Sequence, residues 1–176
     1  MKSIPLRIQL YLVAAGYAVV LATAALLVYQ RHLLYVNHAA EAAAAGGMYA
    51  GGDWILEIMI GCMLLVPTFA LALVVRKSEP LSAGYSRVML GLSLTAPISL
   101  GLVSIPAVGQ GTMLLGWICM DRLMCSPVVI VGLVVSRLLA RFDRAKRLTL
   151  YALLIEVFTL VLTVGLFLFA ASTHGG

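Results

Sequence analysis

An all-α bundle of membrane-spanning helices, five in the simplest reading, is the fold class this sequence predicts. Three observations carry it. Hydrophobic residues fill 62% of 176 positions and charged residues 11%, against roughly 45–50% and 25% in soluble domains. Apolar runs recur from residue 8 to residue 171, so the bias is not confined to one segment. Ten of the twelve lysines and arginines fall in segments that alternate crossing would place on one side. With a mean hydropathy of +1.07, a soluble globular domain is excluded. The chain reads as one transmembrane domain over residues 1–176.

A helix crossing the hydrocarbon core needs roughly 20 mostly apolar residues. The first such run is 8–29. Lys2 and Arg7 before it, with Ala22-Thr23-Ala24 inside it, resemble a signal peptide. The run continues through Val28, longer than a signal-peptide core, and is read as a span. Residues 30–45 favour helix, with Gly46-Gly47 as the expected stop. Gly51-Gly52 then predicts a turn, and Asp53 an N-cap for the second span, 54–75.

The third span is 88–108 and carries Ser93, Thr95, Ser99 and Ser104, which make it the most polar. The fourth, 113–135, is interrupted by Asp121 and Arg122. The fifth is 148–172. If the fourth did not cross, the C-terminus would change sides. Lys and Arg set orientation. With five spans, Lys2, Arg7, Arg76, Lys77, Arg87, Arg137, Arg141, Arg144, Lys146 and Arg147 share the cytoplasmic side. Arg31 alone lies outside. The N-terminus is then cytoplasmic, the C-terminus external, and the expected location is a bacterial inner membrane. Trp54, Trp117, Tyr85 and Tyr151 sit at span ends, as interfacial aromatics do.

Small residues mark where membrane helices touch. Ala14, Ala18 and Ala22 form one stripe and Gly91, Thr95 and Ser99 another, so the first and third spans are the expected bundle centre. Pro67 and Pro97 lie near the middle of their spans, where each removes a backbone donor and can kink the helix. The fifth span reads as Leu, Val and Phe with few small residues.

Intramembrane charges are expensive and usually paired. Glu156 lies eight residues into the fifth span and Arg122 nine from the outer end of the fourth. At 1.5 Å per residue the two fall at similar depth on consecutive helices. An Arg122–Glu156 pair, with Asp121 adjacent, is the principal candidate site. Its bland role is neutralisation and helix register; its functional role is proton or ion handling.

A second group, Asp53, Glu57, His32 and His38, lies at the outer level, where it could bind a cation or merely solvate helix ends. His38 and Glu41 are an i, i+3 pair. None of this matches a tight metal spacing, so the metal is left open. His32, His38 and His174 all lie at the outer boundary, which speaks against bis-histidine haem, and no cofactor is expected.

Arg137, Arg141, Arg144, Lys146 and Arg147 are expected to contact anionic lipid headgroups at the cytoplasmic face. Placement beside apolar runs also argues that the net charge of +5 serves lipid and not nucleic acid. Cys62, Cys119 and Cys125 sit in apolar stretches, as small buried hydrophobes do. Gly109-Gln110-Gly111 lacks any βαβ context and implies no nucleotide site.

Three functional classes follow. The leading one is a subunit or accessory protein of a larger membrane complex, with other membrane subunits or further copies of itself as partners. The alternative is a small oligomeric proton- or ion-coupled transporter or channel using Arg122 and Glu156. The third, least favoured, is a membrane enzyme using the outer acidic and histidine group.

Overall fold

The computed structural model describes residues 5–105 and 113–174, and no strand occurs among them. Its helices are α1 (Leu6–Asn37), α2 (Ala39–Ala44), α3 (Gly46–Val75), α4 (Glu79–Val103), α5 (Met113–Met124), α6 (Ser126–Leu139) and α7 (Asp143–His174). By length and composition α1, α3, α4 and α7 can each cross a membrane, and α5 with α6 makes a fifth span if the bent pair is one. The chain divides into two compact units, Met1–Val74 and Val75–Gly176.

In the first unit α1 and α3 form an antiparallel hairpin. Tyr17 Oη lies 2.8 Å from Thr68 Oγ1, and Arg31 reaches Asp53 near the hairpin's closed end. At 32 residues, α1 is about 48 Å long, well beyond a core of about 30 Å. It ends where His38 leaves helical geometry, and Ala45 does the same between α2 and α3. The glycines do not act as the sequence suggested. Gly46-Gly47 opens α3 instead of stopping a helix, and Gly51-Gly52 lies within it. Asp53 is therefore inside α3 and caps nothing. No described glycine has positive φ, so none supplies the left-handed residue of a glycine stop.

The packing face of α1 also departs from the expected one. Ala14, Ala18 and Ala22 are exposed, while Val13 is buried and Gly16, Tyr17, Val20, Ala24, Leu27 and Arg31 are partly covered. Val13, Tyr17, Val20, Ala24, Leu27 and Arg31 follow one another by four and three residues, so they share one face of the helix. Gly16 lies against Pro67, where an added Cβ would meet the proline Cβ at 3.5 Å.

The second unit packs α4, the α5–α6 pair and α7 around a seam of small and hydroxyl side chains. Glu79 and Pro80 open α4, with the acid placed at the positive end of the helix dipole. On α4 the buried residues are Ser82, Ala83, Ser86, Ser93, Ala96 and Ser99. Gly91 and Thr95, from the expected stripe, are exposed. On α7 they are Ala145, Thr149, Ala152, Glu156 and Thr159, again spaced four and three apart. So α7 does carry a small-residue face; hydropathy alone hid it among leucines.

Thr149 Oγ1 lies 3.3 Å from Ser86 Oγ. That contact and Arg122's bonds to Leu92, Thr95 and Glu156 advance together along α4 and α7, so the two run parallel. The α5–α6 pair returns antiparallel along the same length, from Arg122 beside Thr95 to Ser136 Oγ 2.8 Å from Tyr85 Oη. A parallel pair joined this way requires the intervening segment to traverse the bundle.

That segment is broken. Leu115–Met124 and Ser126–Leu139 meet at 47°. Pro127 is the cause: it lacks an N–H and clashes with the carbonyl four residues back. Cys125 closes α5 onto the Asp121 carbonyl at 2.9 Å, and its own carbonyl receives Val129 N–H at 3.1 Å. Pro67 and Pro97, by contrast, lie inside unbroken helices. The helix boundaries extend the predicted spans at residues 30–37, 46–53, 79–87 and 143–147. The predicted end of the third span and Gly109-Gln110-Gly111 lie outside the described residues.

Candidate functional site

Arg122 stands in the last turn of α5, where a cation complements the helix dipole. Its guanidinium grips Glu156 of α7 in two parallel bonds: Nη1 to Oε1 at 2.8 Å and Nη2 to Oε2 at 2.9 Å. Nε donates to Thr95 Oγ1 at 2.8 Å, and Nη2 also donates to the Leu92 carbonyl at 3.1 Å. Nη1 donates a second, longer bond to Ser126 Oγ at 3.4 Å. A guanidinium has five N–H donors, and all five are engaged.

The Glu156 side chain has no exposed surface and that of Arg122 is 14% exposed. Four helices meet at this point: α4 through Leu92 and Thr95, α5 through Arg122, α6 through Ser126 and α7 through Glu156. Fork-on-fork geometry is the strong form of a charge-assisted pair. Complete use of the donors is what offsets the desolvation of two ions. Thr95 adds rigidity, because it donates to the same Leu92 carbonyl at 2.6 Å. Asp121 is not among the hydrogen-bond partners of Arg122; its side chain is only partly covered.

The first unit holds a second arginine–carboxylate pair. Arg31 Nε donates to Asp53 Oδ1 at 2.6 Å and Nη2 to the Tyr49 carbonyl at 2.6 Å. Tyr35 donates to the other Asp53 oxygen. The guanidinium carbon lies 5.2 Å from the Tyr35 ring centroid and 5.1 Å from that of Tyr49, within cation–π range. Gly52 is the reason Arg31 can approach α3: a Cβ there would stand 2.7 Å from Nη2. Glycine at this position provides clearance, not a turn.

The remaining outer residues do not join this pair in a metal centre. His32 is exposed, and His38 Nδ1 faces Glu41 at 3.5 Å on the surface. Glu57 is partly covered, one turn beyond Asp53 on α3. Among the described residues no three His, Cys, Asp or Glu side chains converge.

At the other end of the second unit, Arg137 Nη1 donates to the Lys146 carbonyl at 3.3 Å, across the α6–α7 connection. Arg141, Arg144, Lys146 and Arg147 are exposed there, as is Arg87.

The grouping of Arg31, Tyr35, Tyr49 and Gly52 around Asp53 is not read from the sequence, which places Arg31 outside and takes Gly52 for a turn. The available signal was Arg31 itself, the one basic residue on the predicted outer side, facing an acidic residue on the next helix. Thr95, Ser126 and Pro127 were also missed as partners and cause. Comparison of the chain with protein-family models, curated proteins and solved structures finds no match.

Proposed function

We propose that this chain is a multi-pass membrane protein serving as a subunit or accessory protein of a larger membrane assembly, with Arg122 and Glu156 as a structural clamp. The observation behind this reading is the full engagement of Arg122. A carboxylate that carries protons or ions must shed its counter-ion and open to bulk water. Glu156 is instead fully buried and held by two bonds from a guanidinium with no spare donor. The exposed apolar surface supports the same reading. On α7 eight of the nine residues of 161–169 are exposed, a surface suited to lipid or a neighbouring subunit.

The orientation proposed is N-terminus cytoplasmic and C-terminus external, in a bacterial inner membrane, with Arg137, Arg141, Arg144, Lys146 and Arg147 against anionic headgroups. Copurification of the tagged chain from native membranes is the deciding experiment. A partner at fixed stoichiometry, retained through detergent exchange, is expected. A chain without such a partner, giving ion flux in proteoliposomes that Glu156→Gln abolishes, would overturn the proposal.

One observation favours the transport alternative. The helix break at Cys125 lies within a turn of Arg122, and transporters often build sites on discontinuous helices. The flux measurement separates the two.

A further inference from the structure

On the buried face of α4, the hydroxyl of Ser93 is buried without a partner. Thr149, Thr159, Thr163 and Ser136 each donate to the carbonyl four residues earlier. So do Thr68 and Ser104 elsewhere. This back-bond is the usual way a helical hydroxyl is satisfied away from water. Ser93 does not make it. Its residue is 0% exposed, and its Oγ has no hydrogen-bond partner within the protein. Its backbone is unusual too. The carbonyl of Ser93 would ordinarily receive the N–H of residue 97, and Pro97 has none.

Position tells what Ser93 faces. Thr149 meets Ser86 across a separation of 63 residues. In a parallel seam with a seven-residue repeat, the same separation sets Ser93 opposite Glu156. Each Glu156 oxygen takes one bond from Arg122, and a carboxylate offers about four acceptor sites. Open acceptors on Glu156 thus stand across from a hydroxyl without a partner and a carbonyl without its helical donor.

We propose that one water molecule is bound between α4 and α7 at this level, bridging Ser93 to Glu156. Charge decides the class of ligand. The Arg122–Glu156 pair is already neutral as a unit, so an added cation would meet the guanidinium and an added anion the carboxylate. Water is neutral, both donates and accepts, and needs two to four polar partners in a buried site. Ser93 Oγ, the Ser93 carbonyl and Glu156 supply that number. Bound there, it satisfies lone pairs that the guanidinium leaves open. It also gives Glu156 a neutral donor that remains when Arg122 is withdrawn. The proposal stands apart from the accessory reading, since either a clamp or a transport site can hold such a water.

Water-edited solid-state NMR on the full chain in lipid nanodiscs tests it, with 13C-labelled glutamate and the Glu156 carboxyl signal assigned through Glu156→Gln. Rapid transfer from water protons to the Glu156 carboxyl is expected in the wild type. Ser93→Ala should abolish most of that transfer and lower the Tm, because the water loses an anchor. Ser99→Ala, two turns away, should leave the transfer unchanged. If Ser93→Ala fails to fold, Ser93→Cys keeps the volume with a weaker donor and should reduce the transfer. No transfer in the wild type, or transfer insensitive to Ser93, overturns the proposal. So does a Tm raised by Ser93→Ala, the result for a dry orphan hydroxyl.

Discussion

Two arginine–carboxylate pairs, one in each unit, use the same chemistry in different surroundings. Arg31 and Asp53 close the end of a helical hairpin, with side chains 23% and 37% exposed. The contact is a single bond assisted by two tyrosine faces and a carbonyl. Arg122 and Glu156 sit in the middle of a helix seam, 14% and 0% exposed, in a two-bond fork. The difference teaches where the energy lies. An exposed pair is worth roughly 0–1 kcal/mol, because water and salt compete for both partners. A buried pair is weak evidence of net stability, yet breaking it strands a charge at a cost of about 3–5 kcal/mol.

The largest expected effect tests the buried side of that contrast. Glu156→Gln leaves Arg122 without its counter-ion and should destabilise by about 3–5 kcal/mol, read as a fall in Tm in nanodiscs. Arg122→Gln should match it. The double variant should recover much of the loss, since two amides can bond each other. Additive losses in the cycle would mean the residues are not coupled, and the comparison would collapse.

Arg31→Ala should cost far less, about 1 kcal/mol at low salt, and less again in high salt, because solvent reaches this pair. Salt should leave the Glu156→Gln penalty nearly unchanged. A salt-insensitive Arg31→Ala effect would show that the tyrosine cage, not the carboxylate, holds the arginine.

Thr149→Val probes the seam without touching either pair. Interhelical hydroxyl bonds in membranes average about 0.6 kcal/mol, and the 3.3 Å contact to Ser86 should yield no more. A loss nearer that of Glu156→Gln would place the stability of the second unit in its hydroxyls.

Gly52→Ala is the smallest expected effect and the sharpest test of why glycine is there. The new Cβ meets the far end of a flexible side chain, so Arg31 can swing aside at a cost of a few tenths of a kcal/mol, as for most surface changes. In an Arg31→Ala background the sign should reverse. Alanine then stabilises α3 by up to about 1 kcal/mol, through its higher helix propensity. Equal effects in both backgrounds would mean that Gly52 is not there for Arg31.

Much of the architecture is legible in the sequence. Apolar run length marked the helices, and the scarcity of intramembrane charge singled out Arg122 and Glu156. Legibility ended at the helix faces. Ala14, Ala18 and Ala22 looked like a seam, yet the covered face of α1 runs through Val13, Tyr17 and Val20. Gly91 and Thr95 looked buried, yet Ser86 and Ser93 are. Pro67 and Pro97 drew attention as helix breakers while Pro127 broke a helix. In membrane helices, neighbouring groups and local adjustment re-satisfy backbone freed by proline, so proline content alone does not locate a bend. Gly51 and Gly52 looked like a turn because water-soluble chains use glycine so.

What the sequence by itself determined is the set of helices, because an apolar run must satisfy its backbone internally wherever water is excluded. What only the tertiary structure decided is which faces meet and what each polar group does there. The reason is contrast. A soluble helix shows its packing face as an apolar stripe on a polar surface. In these helices nearly every face is apolar, and lipid gives no hydrophobic preference between them. Side-chain size and polar complementarity across the seam then choose the partners. Arg31 with Asp53, Ser86 with Thr149, and the placement of Thr95 and Ser126 around Arg122 exist only once the helices lie side by side.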